Sequence, residues 1–139
     1  MRFNHSLQRS RNKAGFTLME LLIVVAIIVI IATFAIPSYF EYVRKGDRAQ
    51  AGAVLQDNAH HLQAYYNVRN TYVGASLAAN QSPIDGTAKY TISLDSATQT
   101  SFTLKALPIV ADPECGTLTL TSTGVKSIGG SRDVAYCWK

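Results

Sequence analysis

The stretch KAGFTLMELLIVVAIIVIIATFAIP, residues 13–37, decides how this chain is read. From Phe16 to Ile36 it is apolar except at Thr17, Glu20 and Thr33. A helix over that run is roughly 31 Å long, enough to cross the hydrocarbon core of a bilayer. The basic residues Arg2, Arg9, Arg11 and Lys13 precede Gly15, and no acid does. Positive charge on that side predicts a cytoplasmic N-terminal end with everything beyond the span facing outward.

The same four residues account for the chain's charge. Its 139 residues carry a formal net charge of +4, but from Phe16 onward nine Lys/Arg stand against nine Asp/Glu. The basic character therefore belongs to the leader and does not mark the folded part as a nucleic-acid or lipid binder.

Glu20 is the residue that simple readings leave unexplained. A secretory signal would have an apolar core of only about 7–15 residues followed by a small-residue cut site. Thr33-Phe34-Ala35 offers such a site, and a plain single-span anchor is a second bland reading; neither needs a carboxylate. An acid at mid-membrane costs roughly 2.5–3.5 kcal/mol on the insertion scale, less near the end of the span. It calls for a cation. A cut after Gly15 creates one, the new α-amino group of Phe16, one helical turn away. Glu20 also sits favourably at the positive end of the helix. The amine it meets can belong to its own subunit or to a staggered neighbour; the second arrangement would fix register in an apolar bundle.

Beyond the span, Pro37 removes a backbone donor and predicts a kink or a locally unwound stretch. Helical periodicity then resumes: Ala51, Leu55, Ala59, Leu62 and Tyr66 form an apolar stripe, with Arg48, Gln50, Gln56, Asp57, Asn58 and Gln63 assigned to the other faces. One helix of about fifty residues is expected, fraying at 67–70. Residues 67–89 read as a loop with a short helix near 76–80 and turns at Pro83 and Asp85-Gly86. From Tyr90 the period becomes two. Tyr90/Ile92/Leu94, Phe102/Leu104/Ala106 and Leu118/Leu120 alternate with polar residues, and a turn at 122–124 leads into 125–128. The expected fold is α+β, a long helix (transmembrane, then amphipathic) packed on an antiparallel sheet of about four strands.

Cys115 and Cys137 are the two cysteines. A single pair has one intramolecular connectivity, and an exported chain places it in an oxidising compartment, so a disulfide is expected; two buried free thiols are the alternative.

Residues Lys13 to Glu20, followed by Leu21–Ile36 and Pro37, resemble the class III signal of type IV pilins and pseudopilins. Gly15, Phe16 and the glutamate at the fifth mature position, Glu20, stand in that family's spacing. Asp57 stands where many pilins carry a second helix proline. The resemblance implies the type IV pilin fold and cleavage after Gly15 by an inner-membrane prepilin peptidase. It further implies methylation of the Phe16 amine and pairing of Glu20 between subunits. It divides the chain into a leader (1–15), a transmembrane or filament-core helix (16–36) and a periplasmic domain (37–139). The implied partners are other pilins, the peptidase, the inner-membrane assembly platform and the inner membrane itself, before an extracellular pilus.

The C-terminal run from Asp112 to Lys126, with the closing Cys137-Trp138-Lys139, resembles the disulfide-loop region of PilE-like minor pilins. The function this implies is a minor pilin, a structural and assembly subunit of a type IV pilus. A type II secretion pseudopilin, a major pilin, or an adhesion or DNA-uptake subunit are the alternatives. His60 and His61 point about 100° apart on a helix and make a poor metal pair. Arg44, Lys45 and Arg48 are interleaved with Glu41 and Asp47, so nucleic-acid binding is not expected there. No nucleophile–base set, paired-acid site, phosphate loop or metal spacing stands out. The expectation is no enzymatic activity, no cofactor and no metal.

Overall fold

The computed structural model describes residues 15–139. The basic leader residues Arg2, Arg9, Arg11 and Lys13 lie outside the described residues. By its packing the chain divides into two units, Met1–Ser38 and Tyr39–Lys139.

In the first unit the apolar run is helical, as expected. It opens helix α1 (Leu18–Arg69, 52 residues), whose hydrogen-bonded assignment continues through Pro37. The unwound stretch expected at the proline does not form. Thr17 starts the helix: its Oγ1 accepts the Glu20 N–H at 3.2 Å, and its carbonyl accepts the Leu21 N–H at 3.2 Å. Thr-x-x-Glu is the sequence of a capping box, so Glu20 also has a local role at the first turn. None of the most apolar window of this helix is buried. An apolar surface of that extent must be covered by something outside the single chain.

The second unit holds the rest of α1, five strands and a short helix: β1 (Gln81–Ser82), β2 (Tyr90–Ala97), β3 (Phe102–Pro108), β4 (Leu118–Thr121), β5 (Lys126–Ile128) and α2 (Val134–Cys137). The sheet is antiparallel throughout, in the order β1-β2-β3-β4-β5. The predicted alternation places the core: Tyr90, Ile92, Phe102, Leu104, Ala106, Leu118 and Leu120 are buried with Ala51, Val54, Leu55 and Leu62 of α1. At the β4–β5 turn Gly124 takes φ +80°, and its N–H meets the Thr121 carbonyl at 2.9 Å.

The expected antiparallel sheet of about four strands forms with one strand more, and three other expectations need correction. The sheet has five strands because Gln81–Ser82 pairs with Thr91 and Tyr90; two residues are too short to carry a period. The helix expected near 76–80 is absent. Buried Asn58 takes that backbone instead: its Oδ1 accepts the N–H groups of Ala78 and Ala79 at 2.8 and 3.1 Å, and its Nδ2 donates to the Ala79 carbonyl at 2.8 Å. A distant side chain thus supplies the partners a local turn would have provided. The end of α1 does not fray. Asn70 adopts φ +55° and its N–H bonds the Tyr66 carbonyl at 2.7 Å, a left-handed stop. Finally, Arg48 and Asn58 are not on an outer face. Both are buried, and positions 48, 51, 55, 58 and 62 form one stripe.

Candidate functional site

Two regions stand out, and the predicted processing residues lie in one of them. The first is the start of α1. Gly15 and Phe16 lie exposed just ahead of the helix, and Glu20 is exposed in its first turn. The arrangement leaves the Gly15–Phe16 peptide bond accessible and keeps Glu20 within one turn of the amine that its cleavage would create. Among the described residues the Glu20 backbone N–H bonds the Thr17 hydroxyl, and no cation pairs with its carboxylate. Pro37 sits inside α1 further along.

The second region is a cluster that sequence reading missed. Arg48 is 1% exposed. Its Nε and Nη2 donate to the two Asp112 carboxylate oxygens at 2.7 and 2.9 Å, the bidentate geometry that suits a planar guanidinium. Nη1 donates to Glu41 at 2.9 Å, and Nη2 reaches Glu114 at 3.4 Å. Glu41 also accepts the Tyr136 hydroxyl at 2.9 Å, while Glu114 accepts Arg132 at 3.0 and 3.2 Å. The Tyr136 ring lies 5.0–5.7 Å from the cationic groups of Arg132, Lys45 and Arg48. Three cations and three carboxylates thus close a neutral cluster.

Electrostatics follow from burial and pairing. Burial disfavours the charged Asp112 carboxylate, but the hydrogen bonds from Arg48 and the Cys115 N–H outweigh it and hold the pKa below the ordinary range. Glu41 shows the same balance: burial opposes its charge, and Tyr136 and Arg48 lower its pKa overall. The Asp112 hydrogen bond raises Arg48 further above its ordinary value. Burial, reinforced by the Asp112 charge, pushes the Tyr90 phenol up to about 12.

The cluster is continuous with the expected disulfide, which forms between Cys115 and Cys137. Gly130 N–H bonds the Cys115 carbonyl at 3.0 Å, and a Cβ on Gly130 would overlap the Glu114 carbonyl. Trp138 closes the C-terminal end: its Nε1 donates to the Ser127 carbonyl at 3.2 Å, and Lys126 lies 5.0 Å over its ring. Together these contacts pin residues 112–116 and the last residues of the chain to α1. The chemistry is that of a clamp. Every carboxylate in the cluster is occupied by cations, and both thiols are in the disulfide. Elsewhere His60 and His61 are exposed. Among the described residues no group of three or more His, Cys, Asp or Glu side chains is arranged to hold a metal ion.

Residues 37–119 match the family described as "Type IV minor pilin ComP, DNA uptake sequence receptor", and residues 10–36 match the prokaryotic N-terminal methylation motif. The chain belongs to the type IV pilins. Among curated relatives it is 31% identical over 119 residues to the type IV wide pilus major component PilA4 of Thermus thermophilus, covering 85% of this chain and 87% of that one. Among solved structures it resembles a type IV pilin from Shewanella oneidensis with a TM-score of 0.50 and 26% identity, over 69% of this chain and 98% of that one. The Neisseria meningitidis non-core minor pilin PilV is similar in fold, with a TM-score of 0.51 at 19% identity, over 66% of this chain and 92% of that one. Pilin membership accounts for the uncovered apolar helix, since pilins assemble with one another into a pilus.

Proposed function

We propose that this pilin is a minor subunit that takes part in the assembly of a type IV pilus and catalyses no reaction itself. The observation that carries the minor assignment is the match of residues 37–119 to a family of minor pilins. In this reading the precursor rests in the inner membrane with its second unit in the periplasm. Prepilin peptidase cuts after Gly15 and methylates Phe16, and the assembly platform then passes the subunit into the filament. There Glu20 meets the Phe16 amine of a neighbour, which neutralises both charges in an apolar surrounding.

Two measurements test this. Mass spectrometry of filament-associated protein should find methylated Phe16 at the N-terminus, and any other N-terminus removes the processing claim. Quantification in sheared pili should find far fewer copies than of the main subunit; a dominant share would make it a major pilin, as PilA4 is named. Glu20→Ala should leave cleavage intact and impair incorporation. A deletion that blocks protein secretion and leaves pili unchanged would instead mark a type II secretion pseudopilin.

The name of the matching family favours one second reading, a DNA-uptake role. Lys126 over Trp138, next to Lys139, offers exposed cations beside an aromatic ring. Binding of duplex DNA by the detergent-solubilised chain across a salt series checks it: sequence-preferring binding should persist where non-specific contacts have been screened away.

A further inference from the structure

In the second unit, an apolar groove of about 460 Å³ lies between residues 40–47 of α1 and the chain leaving β3. Phe40 and Val43 form one wall, and Pro108, Ile109 and Val110 the other. Val110 is 76% exposed, and Tyr39, one turn before Val43, is exposed on the same part of α1. No contact of the fold explains so many uncovered apolar and aromatic side chains in one place.

Two observations say what covers them. The first is continuity with the membrane span. Tyr39 follows Ile36 by three residues and Phe40 by four, so chain connectivity keeps both near the end of the span. The headgroup zone adjoining the hydrocarbon core is roughly 5–7 Å thick. Aromatic residues concentrate at this depth because their rings are amphipathic. The second is charge. Arg44 and Lys89 are exposed along the groove. Of the nearby acids, Glu41 is turned inward to Arg48 and Tyr136, and Asp112 is buried against Arg48. Asp47 is the acid left along the groove against Arg44 and Lys89, Arg44 also lying 4.0 Å from Glu41. The outward face is therefore positive, and suits anionic lipid headgroups.

Resting on the membrane-anchored state proposed above, we infer that the Ile109–Val110 loop seats in the interfacial layer of an anionic bilayer beside Tyr39, Phe40 and Val43. The folded unit then has a second apolar foothold besides its helix. It must release that foothold when the subunit is drawn into a filament.

The structure supplies a matched control. Val125 and Ile109 are each 56% exposed. Val125 lies in the β4–β5 turn, next to the part of α1 from Gln56 to Gln63. That is about 16–23 residues beyond Phe40, or roughly 24–35 Å along the helix axis. Both native cysteines are disulfide-bonded, so Ile109→Cys and Val125→Cys can each be labelled with an environment-sensitive fluorophore in the full chain. The labelled chains are reconstituted into phosphatidylcholine vesicles with and without phosphatidylglycerol.

Label at Ile109→Cys should emit to the blue of label at Val125→Cys and be quenched by lipids carrying a headgroup-level spin label. Phosphatidylglycerol should strengthen both effects. Equal emission and equal quenching at the two positions would overturn the inference. So would protection at Ile109→Cys that arises only in assembled filaments, since the groove would then be a pilin–pilin contact. Extraction of the vesicles at alkaline pH reports separately on the anchored state: a chain that washes off defeats the anchoring itself. A chain that stays, with its label at Ile109→Cys in water, defeats only the loop.

Discussion

Replacing Arg48 by alanine should destabilise the folded unit by about 4–5 kcal/mol, the upper part of the range for breaking a buried ion pair. The structure places it there because Asp112 is 7% exposed and would keep only backbone N–H partners, with the Cys115 N–H at 3.3 Å and no cation. Asp112→Ala should cost less, about 3 kcal/mol, since Arg48 keeps Glu41 and Glu114, both partly open to solvent. Lys105 and Asp95 give the contrast. Their 2.8 Å ion pair is as short as the Arg48 contacts, but both side chains are over 40% exposed, so Lys105→Ala should change stability by less than about 1 kcal/mol. Burial decides the difference, since the distances are alike. Urea unfolding of the full chain in nonionic detergent, disulfide intact, reads all three. Trp138 is the one tryptophan and closes the C-terminal end against Ser127, so its emission follows the clamp. With a slope of about 1–2 kcal/mol per molar, Arg48→Ala should lower the midpoint by about 2–5 M. The double variant Arg48→Met/Asp112→Leu should recover most of that, because no uncompensated charge stays buried. An Arg48→Ala midpoint no lower than that of Lys105→Ala would refute the reasoning.

Acid should weaken the same cluster. Asp112 and Glu41 have folded-state pKa values below their ordinary ones, so their contribution is present above the ordinary carboxylate range and disappears as pH falls through the depressed values. Urea midpoints measured down that window should fall more steeply for the wild type than for the double variant; parallel profiles would contradict the assignment. Asn58→Ala should cost about 1–3 kcal/mol, because it strands two N–H groups and a carbonyl of Ala78 and Ala79. Amide exchange checks it directly, with protection lost at 78 and 79 ahead of the sheet. Gly130→Ala should impair folding despite its surface position, because the added methyl meets the Glu114 backbone; an unchanged yield of disulfide-bonded protein would argue that the 114–116 segment moves aside freely.

What the sequence made legible was whatever repeats locally. The apolar run from Phe16 to Ile36 and the alternation in β2, β3 and β4 announce themselves because each residue's neighbours share its environment. Arg48 and Asn58 were hidden by type, since polar residues are assigned outward by default. Their phase was the available signal: steps of three, four, three and four through 48, 51, 55, 58 and 62 put them on the buried stripe. Their partners were not available, because Asp112 is 64 residues from Arg48 and Ala79 is 21 from Asn58. No local pattern encodes such distances.

The two buried polar residues also divide a task with the apolar ones. Ala51, Val54, Leu55 and Leu62 hold the sheet, whose strands carry matching apolar faces. The segments at 78–79 and 112–115 have no such face to offer. They are fixed by hydrogen bonds whose direction an apolar contact lacks, one set from Asn58 and one from Arg48. The disulfide then carries the Arg48 anchor on to Cys137 and the chain end. A guanidinium that looks from sequence like one more surface cation is therefore what joins the helix to the C-terminal loop. That is also why it is withdrawn from any partner, and why the exposed positive charge along the groove falls to Arg44 and Lys89.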